Sequence, residues 1–223
     1  MEIMEAMRMR HSVRQYTNKA IDAAALAELQ AETDACNKES GLHIQMMTDE
    51  PKAFSGFMAH YGKFSGVRNY FALIGKKSVD LEEKCGYYGE RLVLKAQQLG
   101  LNTCWVALTY SKVRSAYTVE RGEKLCVVIA FGYGKTQGTP HRSKTFDEVA
   151  SAENPPDWFI NGVEAALLAP TAVNQQKFHF TLAGDKVKAE AGKGMLTKMD
   201  LGIAKVHFEV GSGKSSLVWD KES

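Results

Sequence analysis

Near the start of the chain, Arg10-His11-Ser12-Val13-Arg14 sets two guanidiniums four positions apart with a hydroxyl between them. Such a set can clamp an anion, because guanidinium donates charge-assisted, often bidentate hydrogen bonds to phosphate with a directionality that the lysine ammonium lacks. The same residues follow a short apolar helical segment, and cations at a helix C-terminus are favoured by the macrodipole without binding anything. A second cationic group, His141-Arg142-Ser143-Lys144, follows a polar, glycine-containing stretch and reads equally as a solvated loop. A third group is polar but uncharged. In Pro170-Thr171-Ala172-Val173-Asn174-Gln175-Gln176 each amide offers a donor and an acceptor, which suits a ring edge with alternating donors and acceptors, or simply a solvent loop.

The bulk composition narrows the partners. Lys and Arg total 28 against 26 acids, a formal charge of +2, so there is no basic face of the kind nucleic acid needs and phosphate binding is expected to be local. With 44% apolar and 24% charged residues in 223, one compact domain over residues 1–223 with an ample core is expected. Cys36, Cys85, Cys104 and Cys126 form no C-x-x-C pair and read as buried thiols of a reduced compartment. No segment approaches the roughly 18 apolar residues of a membrane span, which points to a soluble, cytoplasmic protein with a small-molecule partner and neither nucleic acid nor membrane as partners.

Helices and strands must bring the three groups into place. Ile3, Met4, Ala6 and Met7 predict a short helix delivering the first group, and residues 23–35 predict a second with Asp22 as its N-cap. Residues 42–46 alternate as a strand, a loop and helix follow around Phe54 and Tyr61, and residues 70–74 form an apolar run of the kind buried on both faces. Leu81, Cys85, Tyr88, Leu92, Ala96 and Leu99 mark one stripe of a long helix closed by Gly100. A short apolar stretch at residues 103–108 and a buried strand at 124–131, ending in Gly132-Tyr133-Gly134, precede the second cationic group. Trp158, Val163, Ala166 and Leu167 predict a helix opened by Pro155-Pro156 and stopped before Pro170. A strand is expected at 178–182, a helix at 199–210 and a closing strand at 216–219. The interleaving favours an α+β fold or mixed three-layer sandwich. Glu5-Ala6 precedes Ser12 as Glu164-Ala165 precedes Thr171, a faint echo suggesting duplication with a second half from about residue 155. Gly211-Ser212-Gly213-Lys214-Ser215 is not a P-loop, because Phe208 stands where the first glycine is needed, and no G-x-G-x-x-G follows a strand.

Taken together, the R-x-S-x-R clamp, the long helix running into Gly-Leu-Asn-Thr-Cys-Trp-Val, the strand ending Phe-Gly-Tyr-Gly and the late Arg/Lys pair resemble the FMN-dependent nitroreductase family. The turn at 169–176 is similar to that family's P-S-x-x-N-x-Q motif, although it arrives in the last third and Lys177-Phe178 replaces the usual Pro-Trp, as in a shortened, rearranged branch of putative nitroreductases. The resemblance implies a three-layer α-β-α sandwich with a mixed, mostly antiparallel central sheet. It implies that Arg10, Ser12, Arg142 and Lys144 neutralise the FMN phosphate, that His11 is a further cofactor-binding residue and that Arg14 lies near the N1/C2-carbonyl edge. It also implies that Trp105, Val106, Ala107 and Leu108 pack against the ring, while Pro170, Thr171, Ala172, Asn174 and Gln176 form the turn at the flavin edge. No side chain need be a catalytic acid or base: NAD(P)H would reduce the flavin and a nitroaromatic or quinone-like acceptor would reoxidise it, in ping-pong fashion and in a homodimer. Competing readings keep the fold but change the chemistry to dehalogenation or flavin breakdown, or reduce the protein to flavin storage or to a degenerate, non-binding form.

Overall fold

Between Tyr70 and Ile74 five consecutive side chains are fully buried, and the same holds from Val128 to Phe131, so the two longest strands have core on both faces. In the computed structural model, which describes residues 1–220, the chain forms α1 (Ile3–Met9), α2 (Ala23–Ser40), β1 (Gln45–Met47), α3 (Phe57–Tyr61), β2 (Asn69–Lys76) and α4 (Leu81–Gln98). There follow β3 (Asn102–Val106), β4 (Glu123–Gly132), α5 (Phe146–Val149), β5 (Ala150–Ser151), α6 (Asp157–Ala166), β6 (Phe178–Ala183), β7 (Lys186–Ala191) and α7 (Thr197–Ser212). The described residues divide into two compact units, the first built from Met1, 9–81 and 91–140 and the second from 2–8, 82–90 and the residues from 141 onward. The α+β class and the dominance of antiparallel pairing are as expected, with the strands distributed over two sheets.

The first unit holds a four-stranded antiparallel sheet in the order β1-β2-β4-β3, with Tyr70 opposite Ala130 and Trp105 opposite Ile129. Alternate residues share a face. Tyr70, Ala72, Ile74, Val128, Ala130, Cys104 and Val106 therefore join one cluster with Val13, Tyr16, Phe54 and Phe64. Of the opposite parity, Phe71 stacks on Phe131 with centroids 4.5 Å apart. Arg91 ties α4 to α2 through Glu32 at 2.8 Å and Glu39 at 2.5 Å. Leu42 and Ile44 are buried, but β1 starts only at Gln45, because the Asn37 side chain takes both the N–H and the C=O of Ile44, at 2.7 and 2.8 Å, in place of a neighbouring strand. Asp22 occupies the N-cap position without capping; its carboxylate accepts from the Tyr133 hydroxyl at 3.3 Å instead.

In the second unit β5 pairs in parallel with β6 and β6 antiparallel with β7. Phe159, Phe180 and Trp219 surround the Phe208 ring of α7 with centroids 5.0–5.7 Å away. The first half of α4 crosses α7 backbone to backbone: a Cβ on Gly86 would lie 2.0 Å from the Met199 carbonyl oxygen, and one on Gly202 2.0 Å from that of Glu83. Beside the crossing, Lys205 pairs with Glu83 at 2.6 Å, and the fully buried Glu90 and His207 meet at 2.8 Å. Strand β7 was not expected, since Lys-Val-Lys-Ala-Glu-Ala carries helix-favouring residues; only Val187 and Ala189 reach the core. Residues 216–219 are not the expected strand: residues 216–218 make one tight 3-10 turn, and only Trp219 bridges Val187. The Gly-Ser-Gly-Lys-Ser run closes the C-terminal end of α7, where carbonyls rather than N–H groups are unsatisfied, the wrong polarity for a phosphate. Among the described residues no helix is long and apolar enough to cross a membrane.

The α4–α7 crossing leaves no room for a methyl group. Gly202→Ala is expected to cost about 1–3 kcal/mol, read as a lower midpoint in urea unfolding, whereas Gly100→Ala, with nothing within 4 Å, bears only the local strain of its left-handed φ of +77°, about 1–2 kcal/mol.

Candidate flavin-binding site

The helix that precedes Arg10 ends at Met9, and the clamp itself is extended rather than helical. This changes how its residues are arranged. In an extended chain positions i, i+2 and i+4 share a face, and Cα atoms four residues apart stand roughly 13 Å apart instead of one helical turn. Ser12 and Arg14 are exposed while the intervening Val13 is buried. Arg10 is itself buried, 3% exposed, and His11 is half-buried.

Five backbone hydrogen bonds hold this segment. The Val13 N–H donates to the Thr103 carbonyl of β3 at 3.0 Å, Ser65 donates to Arg14 at 3.0 Å, and Tyr16 donates to Ser65 at 2.9 Å. Thr17 donates to Tyr133 and Lys135 to Gln15, both at 2.8 Å. Gly66, at φ +71°, allows the approach, since a Cβ there would fall 2.3 Å from the Tyr16 carbonyl oxygen. On the other flank Gly138, at φ +75°, brings the 134–140 loop to within a methyl's width of His11 and Ser12. Buried Asn102 brackets that loop, accepting from the Gly134 N–H at 2.9 Å and donating to the Gln137 side chain at 3.1 Å.

Cys104 lies beneath the clamp. Burial pushes its thiol up, against the opposing influence of Arg14, of a hydrogen bond with Ser12 and of Arg10, so these three clamp residues converge on one point of β3. The Arg14 guanidinium lies 6.0 Å from the Phe64 ring centroid. Trp105 and Ala107 are half-buried and Leu108 is 65% exposed, whereas Val106 points into the core and presents no side chain to a ligand. The convergence on Cys104, the bracket made by Asn102 and the Phe64 contact were not foreseen. The only trace of them in the sequence is the recurrence of glycine at 66, 134 and 138.

The second unit gathers the remaining residues in its own loop cluster. Lys144 donates from its N–H to the Gln176 Oε1 at 2.9 Å and from its ammonium to the Gln176 carbonyl at 3.0 Å. Gln176 Nε2 donates to the Arg142 carbonyl and to Asn174 Oδ1, both at 2.9 Å, and Asn174 Nδ2 also donates to the Arg142 carbonyl at 2.9 Å. The Gln176 amide is thus 2% exposed and committed to the chain itself, so it positions the loop rather than facing a ligand. Exposed Asn174 keeps a donor and an acceptor to spare, and the Arg142 side chain is exposed. Thr171 accepts from the Gln176 N–H at 3.0 Å, and Pro170 and Ala172 are half-buried. The turn holds Val173, Asn174 and Gln176 at φ 45–55°, a conformation that side chains other than glycine adopt only at a cost of about 1–3 kcal/mol each. Asp200 offsets part of that cost by accepting from the Ala172 N–H at 2.9 Å and the Gln175 amide at 2.7 Å.

A family model described as "Putative TM nitroreductase" matches residues 2–212, and the chain belongs to that family. Three solved structures, each described as a "putative" assignment, share the fold. A nitroreductase from Thermotoga maritima is 21% identical, with 95% of this chain and 83% of that one covered and a TM-score of 0.65. A nitroreductase in complex with FMN from Desulfovibrio desulfuricans is 16% identical, with coverage of 70% and 99% and a TM-score of 0.55. A NADH dehydrogenase/NAD(P)H nitroreductase from Parabacteroides distasonis is 20% identical, with coverage of 69% and 98% and a TM-score of 0.52. None of the curated proteins compared with the chain matches it.

Two measurements probe the supports. Asn102→Ala is expected to cost about 1–3 kcal/mol in chemical unfolding, because it takes the acceptor from the Gly134 N–H and leaves a gap in the core. Burial pushes the Asp200 carboxyl up and outweighs the bonds from Ala172 and Gln175, so its pKa is raised on folding. Its contribution to stability is then complete below the unfolded value of about 3.9 and is lost as pH rises through the folded value. Asp200→Asn is expected to flatten that decline in urea titrations run from acid to neutral pH.

Proposed function

We propose that the protein is an FMN-dependent oxidoreductase that takes electrons from NAD(P)H and passes them to nitroaromatic or quinone-like acceptors, acting as a homodimer in the cytoplasm. The observation that carries this reading is the clamp. Buried Arg10, exposed Ser12 and exposed Arg14 form a set of donors on one face of a rigid strip, the chemistry that suits a phosphate monoester. Family membership supports an oxidoreductase, and the Desulfovibrio relative is described in complex with FMN.

Bound there, FMN would supply a two-electron carrier able to accept hydride from NAD(P)H and release it to a second molecule, which gives ping-pong kinetics. The chain's own residues bind and orient. Arg10 and Ser12 hold the phosphate, and the fixed charge of Arg14 favours the electron-rich state of a neighbouring ring. Half-buried Trp105 and Ala107 with exposed Leu108 offer an apolar surface against which a flat ring can exclude water. No side chain is required to move a proton. A second copy of the chain would cover exposed apolar groups of the first unit such as Phe57 and Tyr61, 82% and 75% exposed.

Steady-state rates with NADH or NADPH varied against a nitroaromatic acceptor should give parallel double-reciprocal lines, and light scattering should give twice the chain mass. Arg14→Ala is expected to weaken FMN retention by roughly ten- to a hundredfold and to lower the flavin potential, one charge-assisted contact being worth about 1.5–3 kcal/mol. Unchanged retention and potential in that variant would contradict the placement of Arg14.

A further inference from the structure

At the end of the first unit's sheet away from the clamp, a cleft of about 510 Å³ opens between Lys77, just past β2, the first residues of β4 and the 112–119 segment. Ser12 bridges Thr103, which stands opposite Phe131 on β4, and Lys124 lies seven residues back along that strand, roughly 24 Å at about 3.4 Å per residue. The cleft and the clamp are therefore separate places on one sheet.

Four cations line the cleft: Lys77, Lys112, Arg114 and Lys124. Among the described lining residues Glu123 is the one acid, and its carboxylate is already engaged, by His43 Nδ1 at 3.0 Å and by the Glu120 N–H at 2.8 Å. Burial pushes the Glu123 carboxyl up, but these two hydrogen bonds and the charges of His43 and Lys76 hold it below the usual range, which keeps it ionised at neutral pH. The lining thus carries a net formal charge of +3, from four cations and one carboxylate. The apolar part of the lining is buried Tyr117, half-buried Leu125 and exposed Val119. Low-dielectric walls concentrate such a field on whatever enters.

The cations sit on a fixed frame. The Gln45 side chain clips residue 118, donating to the Thr118 carbonyl at 2.7 Å and accepting from its N–H at 2.9 Å. Val113 and Ala116 pack on the core cluster, so Lys112 and Arg114 flank an anchored residue. The Lys77 N–H donates to the Gly122 carbonyl at 3.0 Å. Like charges gathered on a rigid frame repel one another, and a ligand with two or more negative charges relieves that repulsion.

We propose that this cleft is a second ligand site, for a small nucleotide: its phosphates meet Lys77, Lys112, Arg114 and Lys124, and its base lies on Val119 and Leu125. The site is independent of the flavin reading. Calorimetric titration of the full chain with ADP, pyrophosphate and adenosine tests it, alongside Lys112→Ala/Arg114→Ala, Lys77→Ala and Arg14→Ala variants whose melting curves confirm folding. The expected result is that ADP binds more tightly than pyrophosphate and adenosine does not bind. The double variant, or Lys77→Ala if the double variant fails to fold, should weaken ADP at least roughly tenfold, and Arg14→Ala should leave it unchanged. Three outcomes would overturn the proposal: no ADP binding to the full chain, ADP binding lost with Arg14→Ala and kept in the cleft variants, or pyrophosphate binding as tightly as ADP.

Discussion

The flavin site proposed for the first unit depends on the backbone hydrogen bonds that fasten residues 13–17 between β3, Ser65 and the Tyr133–Lys135 bend. An isolated extended strip is not stable in water; this one borrows its stability from a sheet whose central strands are buried on both faces. Because the strip is extended, side chains alternate, and the core captures Val13 while Ser12 and Arg14 on either side of it are left facing out; past Arg14 the alternation breaks, and Tyr16 is buried as well. The outward position of Arg14 is thus set by the burial of Val13 next to it. Two glycines on the flanks, Gly66 and Gly138, permit approaches that any side chain would block.

The second unit solves a different problem. Its turn at residues 171–176 is strained, with three residues other than glycine in left-handed geometry, and it is kept by saturating amides and a buried carboxylate rather than by apolar burial. Amide groups used in this way cannot also address a ligand, so Gln176 serves the loop and Asn174 retains what hydrogen-bonding capacity is left. Elsewhere in this unit the α4–α7 crossing relies on Gly86 and Gly202, where two helix backbones touch, and on the Glu90–His207 pair beside them.

The sequence made the long periodic elements legible. Strands β2 and β4 announced themselves as uninterrupted apolar runs, and α4 and α6 as stripes, because burial on that scale leaves little compositional freedom. Strand β7 stayed hidden because two inward residues among Lys, Ala and Glu give too weak an alternation, and its pairing is made by β6 and the turn at Gly184. The clamp's residue types were legible but its conformation was not: R-x-S-x-R is silent on whether positions four apart stand one helical turn or four extended residues from each other. The cationic cleft is assembled from residues up to 47 positions apart, Lys77 and Lys124, and no local pattern marks it.

The central claim is that Arg10 and Ser12 hold the phosphate of FMN while Arg14 lies at the edge of its ring. An absorbance spectrum of the purified protein from about 300 to 550 nm, followed by denaturation and identification of what is released, tests it most directly. The account predicts two flavin bands and FMN in the supernatant, a phosphorylated flavin being the one the clamp can grip. A colourless protein that takes up no added FMN, or one that releases unphosphorylated flavin, would contradict it.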